Sequence, residues 1–339
     1  MTTLDVALIG AGFIARTHLP AWTALGARVR IYSTDDQAAR LADDFGAVAA
    51  TSLSQALDGA MVADICTPTA THRNIALAAF RAGAHVMCEK PLALTSEDAR
   101  AMADAAARAG RLLFPAHVVR YFPAYATARR SILDGELGRV AVARFTRAGR
   151  YPTWSPWFAD TTLSGGILTD QMLHDMDVAR WIFGDVVRVH AAQRGHHTAL
   201  AHKEPVAAGC VTLTHASGVI TQVQGLWGPP ATEFRYTFHI AGSNGTLTHD
   251  SLAHPALRLT TTSPAETDGV PTGDYGEDPF FAQIREAATA FSGGPAPRVS
   301  AGDGVAAVQL AEAARRSAAT GRAIDLPAAT APLSEEANR

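Results

Sequence analysis

The chain has 339 residues, 47% of them apolar, and a formal charge of -3. At ~100–200 residues per domain that length suggests two domains, and the weak charge gives no long-range pull on nucleic acid or an anionic membrane, so neither partner is expected. Three cysteines, Cys66, Cys88 and Cys210, form no CxxC pair, so neither a zinc knuckle nor a disulfide framework is suggested.

The N-terminal MTTLDVALIGAG has no basic region ahead of its apolar run, and no stretch reaches the roughly 18–20 apolar residues of a membrane span, which makes the cytoplasm the default location. Short apolar runs at 4–10, 28–33, 47–50, 63–68, 84–89 and 111–117 read as strands, with helical stretches at 13–25, 35–45, 52–58, 72–82 and 95–109 between them. Strands apolar throughout and separated by amphipathic helices predict a parallel sheet covered on both faces, and right-handed crossovers then give a doubly wound domain over residues 1–118.

A helix at about 122–134 follows, and then the pattern changes. Runs at 139–148, 186–195, 206–214, 219–226, 234–240 and 245–249 are separated by turn-like stretches such as HASG and AGSNG, which predicts a large open, mainly antiparallel or mixed sheet in an α+β domain over 119–326. Helices at 166–183, 278–292 and 302–320 are expected to cover one face of that sheet. The other face carries VQGLW and YTFHI, whose large apolar residues suit a contact with a second subunit. Residues 327–339, rich in Ala, Pro and charge, are expected to fray.

Gly10-Ala11-Gly12-Phe13-Ile14-Ala15 follows the first strand and opens the first helix, a GxGxxA form of the dinucleotide fingerprint. Gly10 permits the tight turn, Gly12 lets backbone approach a pyrophosphate, and the helix N-terminus offers its unpaired N–H groups, those of Phe13 and Ile14 among them, to the phosphates. Cofactor choice is read at the end of the second strand, where Ser33 and Thr34 stand in place of the usual acid and Arg40 follows on the next helix. Such groups suit a 2′-phosphate, so NADP is expected ahead of NAD.

Three features together resemble the Gfo/Idh/MocA family of oxidoreductases: the N-terminal GAGFIA; Thr67-Pro68 with His72 and then Glu89-Lys90-Pro91; and Gly165-Gly166-Ile167-Leu168-Thr169-Asp170 running on to His174 and Asp177. The resemblance covers about residues 4–326. It implies a Rossmann domain followed by an α+β sheet domain, dimers or tetramers formed through that sheet, and oxidation or reduction of a carbinol carbon of a sugar, inositol or related polyol. It also implies that Thr67, Pro68 and His72 flank the cofactor and that a cis bond precedes Pro91.

Hydride transfer needs a base for the hydroxyl proton and a donor for the oxygen as charge shifts. Lysine occurs only at Lys90 and Lys203, and Lys90 ends the fifth strand, at the carboxyl edge where doubly wound sheets hold ligands. Its ammonium suits the oxygen, and Glu89 beside it suits orientation of the site or the nicotinamide ribose. Asp170 and His174 are four apart on one predicted helix, which would put them on one face, with Asp177 continuing it as a hydroxyl acceptor and Asp175 pointing to water or a cap. His174 suits the base or acid, oriented by Asp170. The resemblance points Arg120 at the substrate cleft, with a salt bridge between domains as the other reading, and Tyr121 follows it; Trp154 and Trp157 suit either stacking on a sugar or the core. His196, His197 and His202 lack a matching carboxylate or cysteine set, so no metal is expected. A lyase or hydrolase that oxidises and re-reduces the sugar on tightly held NAD, and a non-catalytic NAD(P) sensor, stand as alternatives to a free-cofactor dehydrogenase.

Overall fold

A computed structural model describes residues 3–153, 155–158, 160–195, 206–253, 256–261 and 277–327. In chain order the first elements are β1 (Asp5–Ile9), α1 (Phe13–Ala24), β2 (Arg28–Tyr32), α2 (Gln37–Phe45), β3 (Val48–Ala49), α3 (Leu53–Leu57), β4 (Val62–Ile65), α4 (His72–Arg81), β5 (His85–Glu89), α5 (Ser96–Arg108) and β6 (Leu113–Ala116). There follow α6 (Pro123–Leu133), β7 (Val140–Arg150), α7 (Thr161–Ser164), α8 (Gly166–Asp170), α9 (Leu173–Phe183), β8 (Val186–Arg194), β9 (Ala207–His215), β10 (Ile220–Gly228), β11 (Arg235–Gly242), β12 (Gly245–Asp250) and β13 (Leu257–Thr261). The last are α10 (Pro279–Phe291), α11 (Ala301–Thr320) and β14 (Ile324–Asp325).

The chain forms two compact units, and neither is one continuous stretch. The first holds residues 1–123, 160–165 and 274–309. Its six parallel strands run in the order β3-β2-β1-β4-β5-β6, the doubly wound arrangement in which the order reverses beside β1. β4 is buried at every position, as a strand covered on both faces must be. Side chains cap several helices. Ser52 accepts from the Gln55 N–H at α3, Thr95 from that of Asp98 at α5, and Asp278 from that of Phe281 at α10.

The helix expected at 278–292 was assigned to a face of the second sheet. Instead α10 lies in the first unit, where Ile284, Ala287 and Phe291 share a core with Leu19 and Trp22 of α1. Phe291 also packs edge-on against Phe114 of β6. The amphipathic pattern that made it a helix carries no information on which sheet it covers.

The second unit holds residues 124–159, 166–273 and 310–339, its described part built on an eight-stranded sheet in the order β13-β12-β11-β7-β10-β9-β8-β14. The β7–β10 pair is parallel and the other pairs are antiparallel. β13 and β14, the two edge strands, carry too little pattern to be read from sequence.

The single helix expected at 166–183 is two helices. The Gln171 and Met172 N–H groups both donate to the Ile167 carbonyl, and the His174 N–H donates back to Gln171, so the regular ladder breaks between α8 and α9. The sheet beneath accounts for the break. Gly225 of β10 and Gly209 of β9 are cross-strand partners, and a methyl group on either would lie within 2.8 Å of the Met172 side chain. The two missing side chains form a trough that Met172 fills, while Gln171 reaches the Leu226 carbonyl.

Candidate functional site

The nucleotide end of the first unit is built from the carboxyl ends of neighbouring strands. Gly10, directly after β1, has φ +104 and donates its N–H to the Tyr32 carbonyl. A methyl group there would sit 2.5 Å from the Cys66 carbonyl oxygen, so only glycine fits. Gly12 differs. Its φ is -78, and nothing lies within 4 Å of where its side chain would be. It caps α1 with no side-chain hydrogen bond, which leaves the first N–H groups of that helix to an incoming acceptor. Open space against bare backbone at a helix N-terminus fits a dinucleotide pyrophosphate. Phe13 is exposed and Ile14 half-buried beside it.

The end of β2 is more constrained than expected. Ser33 Oγ lies 2.8 Å from Asp35 Oδ1, to which it donates, and accepts from the Ala38 N–H. Gln37 donates to the same carboxylate through its side chain. These bonds hold the Asp35 carboxyl below the usual carboxylate range, Ser33 contributing most. Arg40 pairs with Asp36 one helical turn back, at 2.5 Å. Two of the three residues expected to greet a 2′-phosphate are therefore engaged with carboxylates, and a fixed anion stands beside them; Thr34 is exposed.

Beyond β4, Thr67 is half-buried and Pro68 exposed. His72 is 1% exposed, with Nε2 2.8 Å from the Thr67 carbonyl and Nδ1 2.9 Å from the Pro91 carbonyl. Burial pushes this imidazole below its ordinary value, against the pull of the two carbonyls and Glu89. It opens α4 and ties the loop after β4 to the turn after β5, a strut buried between two backbone segments.

The Lys90-Pro91 bond is cis and Lys90 is half-buried at the end of β5. Glu89 beside it is buried; one carboxylate oxygen accepts from the Lys90 backbone N–H at 3.0 Å and the other lies 3.3 Å from His18 Nε2. His18, Asp64 and Cys66 complete a buried group that was not foreseen. His18 Nδ1–H donates to Asp64 Oδ2 at 2.9 Å, and Trp22 Nε1–H donates to the same oxygen at 2.7 Å. Burial alone would lower the His18 pKa, but the Asp64 charge and hydrogen bond outweigh it and hold the imidazole well above its ordinary value. Burial also pushes the Cys66 thiol up, so it stays neutral. The one signal in sequence is Asp64, a lone acid inside an apolar strand, which demands a partner.

Arg120 and Tyr121 do not present the substrate-facing pair expected of them. Arg120 is 1% exposed, donates to the Arg298 carbonyl and pairs with Asp303. Tyr121 donates to Glu286 at 3.0 Å and lies under the Arg298 guanidinium. All five residues belong to the first unit.

In the second unit Asp170 and His174 are half-buried on either side of the α8–α9 break, and Asp177 is 2% exposed on α9. They do not share one continuous helical face. Asp175, expected at the surface, is fully buried and takes a two-pronged ion pair from Arg147 of β7, both contacts 2.8 Å. Tyr125 Oη joins the pair from α6. Trp157 is half-buried and stacks on Phe158. Trp154, His196, His197, His202 and the tail from 328 lie outside the described residues. Among the described residues no helix is long and apolar enough to cross a membrane.

A doubly wound sheet with a glycine turn, a bare helix N-terminus and a strand-end lysine on its carboxyl edge defines the nucleotide-binding half of a pyridine-nucleotide oxidoreductase. Residues 4–117 match the model of an oxidoreductase family with an NAD-binding Rossmann fold, and residues 125–248 match the GFO/IDH/MocA C-terminal domain. The chain belongs to the Gfo/Idh/MocA family. It is 29% identical to inositol 2-dehydrogenase 2 of Saccharopolyspora erythraea over 98% of this chain and 99% of that one. It is 35% identical to D-apiose dehydrogenase of Paraburkholderia graminis, over 64% of this chain and 59% of that one. Among solved structures it resembles levoglucosan dehydrogenase in complex with NADH and levoglucosan, with TM-score 0.79, 26% identity and coverage of 96% and 100%.

Proposed function

We propose that this protein is a dehydrogenase or reductase that transfers hydride between a nicotinamide dinucleotide and a carbinol carbon of a sugar, inositol or related polyol. The observation that carries this reading is the carboxyl edge of the parallel sheet, where Gly10, Thr67 and Lys90 follow the neighbouring strands β1, β4 and β5. Polyol-oxidising relatives that match the chain from end to end support it. The nucleotide, when bound, supplies the hydride acceptor or donor. The residues proposed to hold it are Gly10, Gly12, Phe13 and Ile14 at the phosphates and Thr67 and Pro68 nearer the ring. Lys90 donates a hydrogen bond to the substrate oxygen and stabilises its developing charge. His174, oriented by Asp170, takes the hydroxyl proton, and Asp177 accepts from a further hydroxyl.

For the nucleotide, NAD is the better reading, and the preference for NADP inferred from Ser33, Thr34 and Arg40 is withdrawn. The ionised Asp35 carboxylate repels a 2′-phosphate and accepts from ribose hydroxyls, while Arg40 is offset by Asp36. We place a homodimer or homotetramer contact on the exposed face of the eight-stranded sheet, around Val142 and Ile220.

The test is a panel of inositols, hexoses and anhydrosugars with NAD and with NADP, read at the reduced-nicotinamide absorbance. Net reduction with a neutral polyol is expected. Turnover without net absorbance change, on cofactor that survives purification, would favour transient redox of the sugar instead.

A further inference from the structure

The buried His18 group has no part in the chemistry above, yet it is joined to Lys90 through one side chain. His18 and Asp64 are fully buried, in the interior between α1 and β4. Three titratable neighbours face the imidazole: Asp64 at 2.9 Å, Cys66 at 3.5 Å and Glu89 at 3.3 Å, with the uncharged Phe280 ring of α10 closing the last side. His18, Asp64 and Cys66 have the types and spacing of a metal site. The protons argue otherwise. The indole N–H of Trp22 and the Nδ1–H of His18 both point at Asp64 Oδ2, which turns two donors towards the space a cation would share. With the thiol neutral, the ring has a carboxylate at each nitrogen. Nε2 has no aligned hydrogen bond and meets Glu89 as an oblique ion-pair contact.

We propose that His18 is a positioning residue for hydride transfer: as an imidazolium bridging Asp64 and Glu89, it holds the Glu89 carboxylate against the Lys90 backbone N–H and so fixes where the Lys90 side chain leaves β5. The inference rests on the reading of Lys90 as the group that meets the substrate oxygen. A charge-assisted contact from the ring holds the Glu89 carboxylate in place more firmly than a neutral neighbour would, 3.3 Å from Nε2 on one oxygen and 3.0 Å from the Lys90 N–H on the other. The chain of contacts runs from Asp64 through His18 and Glu89 to the N–H of residue 90, just ahead of the cis bond.

The experiment is imidazole NMR of the full chain labelled with 15N-histidine, with kinetics of His18→Gln, Asp64→Asn and Lys90→Met on the most active polyol of the panel. In the wild type the His18 signal should be in the imidazolium form at pH 7. In Asp64→Asn its titration should move down into the assay range. The kcat of that variant should then fall about 10- to 100-fold at high pH and recover as pH drops and His18 regains its proton, with KM and the NAD Kd within about threefold of wild type. A merely structural contact would not return activity with protonation. His18→Gln should show the same loss without the recovery. A wild-type His18 that is neutral at pH 7, or an Asp64→Asn kcat profile of wild-type shape, overturns the proposal. The NMR decides it even where a variant fails to fold. Lys90→Met at wild-type turnover would overturn the assignment of Lys90 itself, whereas a dead Lys90→Met beside a fully active His18→Gln would defeat only the positioning role.

Discussion

Gly10 and Gly12 belong to one motif, but the structure assigns them opposite vulnerabilities. In Gly10→Ala the new methyl meets the Cys66 carbonyl oxygen at 2.5 Å and its carbon at 2.8 Å, on a backbone with φ +104. The carbonyl cannot easily retreat, because the Cys66 N–H is hydrogen-bonded to Ile9 at 2.7 Å where β1 and β4 pair. Backbone strain of about 1–3 kcal/mol adds to overpacking of about 1–3 kcal/mol. A total of about 2–6 kcal/mol should lower the melting temperature of the first unit by roughly 5–20 °C. In Gly12→Ala the methyl enters open space on an ordinary backbone, so melting should stay within about 3 °C of wild type. That space is where the pyrophosphate is proposed to lie, so the Kd for NAD should rise about 30-fold or more, some 2 kcal/mol. Calorimetric melts of the protein without nucleotide and titrations with NAD read the two effects separately. Gly12→Ala binding NAD like wild type, or Gly10→Ala melting unchanged, would refute the reasoning.

Three further outcomes are expected. Arg147→Met leaves the Asp175 carboxylate buried without its partner and should cost about 3–5 kcal/mol by urea unfolding, while Arg147→Met combined with Asp175→Leu should regain most of it. Asp35→Ser removes the fixed anion at the end of β2 and should shift the ratio of NAD to NADP Kd towards NADP by about tenfold or more, measured by titration. The histidines oppose one another with pH. His72, held below its ordinary value chiefly by burial, contributes stability above the unfolded pKa of about 6.5 that is lost as pH falls towards its folded value. His18, held above, contributes stability present below about 6.5 that is lost as pH rises through its folded value. Urea midpoints should therefore decline on both sides of neutrality, and His18→Gln should flatten only the alkaline side.

The first half of the fold was legible because its signals are local. Strands apolar throughout and helices with one apolar face announce a covered parallel sheet, and GAGFIA marks its nucleotide edge. What could not be read depends on partners distant in sequence. The stop between α8 and α9 contains neither Gly nor Pro; it follows from a trough made by Gly209 and Gly225, which lie beyond it in the chain. Asp175 looked like a surface acid because its counter-ion, Arg147, sits on another element. The partner of Arg120 could not be named because Asp303 lies far along the chain. Ser33 and Arg40 matched a phosphate-binding pattern by type, but adjacent carboxylates had already claimed them.

The placement of α10 on α1 bears on biosynthesis. As the ribosome delivers the chain from the N-terminus, the face carrying Leu19 and Trp22 emerges early, while its cover at Ile284 and Phe291 comes from residue 279 onward. At about 5–20 residues per second the interval between the end of the first stretch of this unit and that cover is roughly 8–30 s. During it a greasy stripe is bare on an otherwise nearly finished nucleotide fold. Exposed apolar surface of this kind is prone to aggregation, so a polypeptide cut off before residue 279 should clump where the full-length one does not.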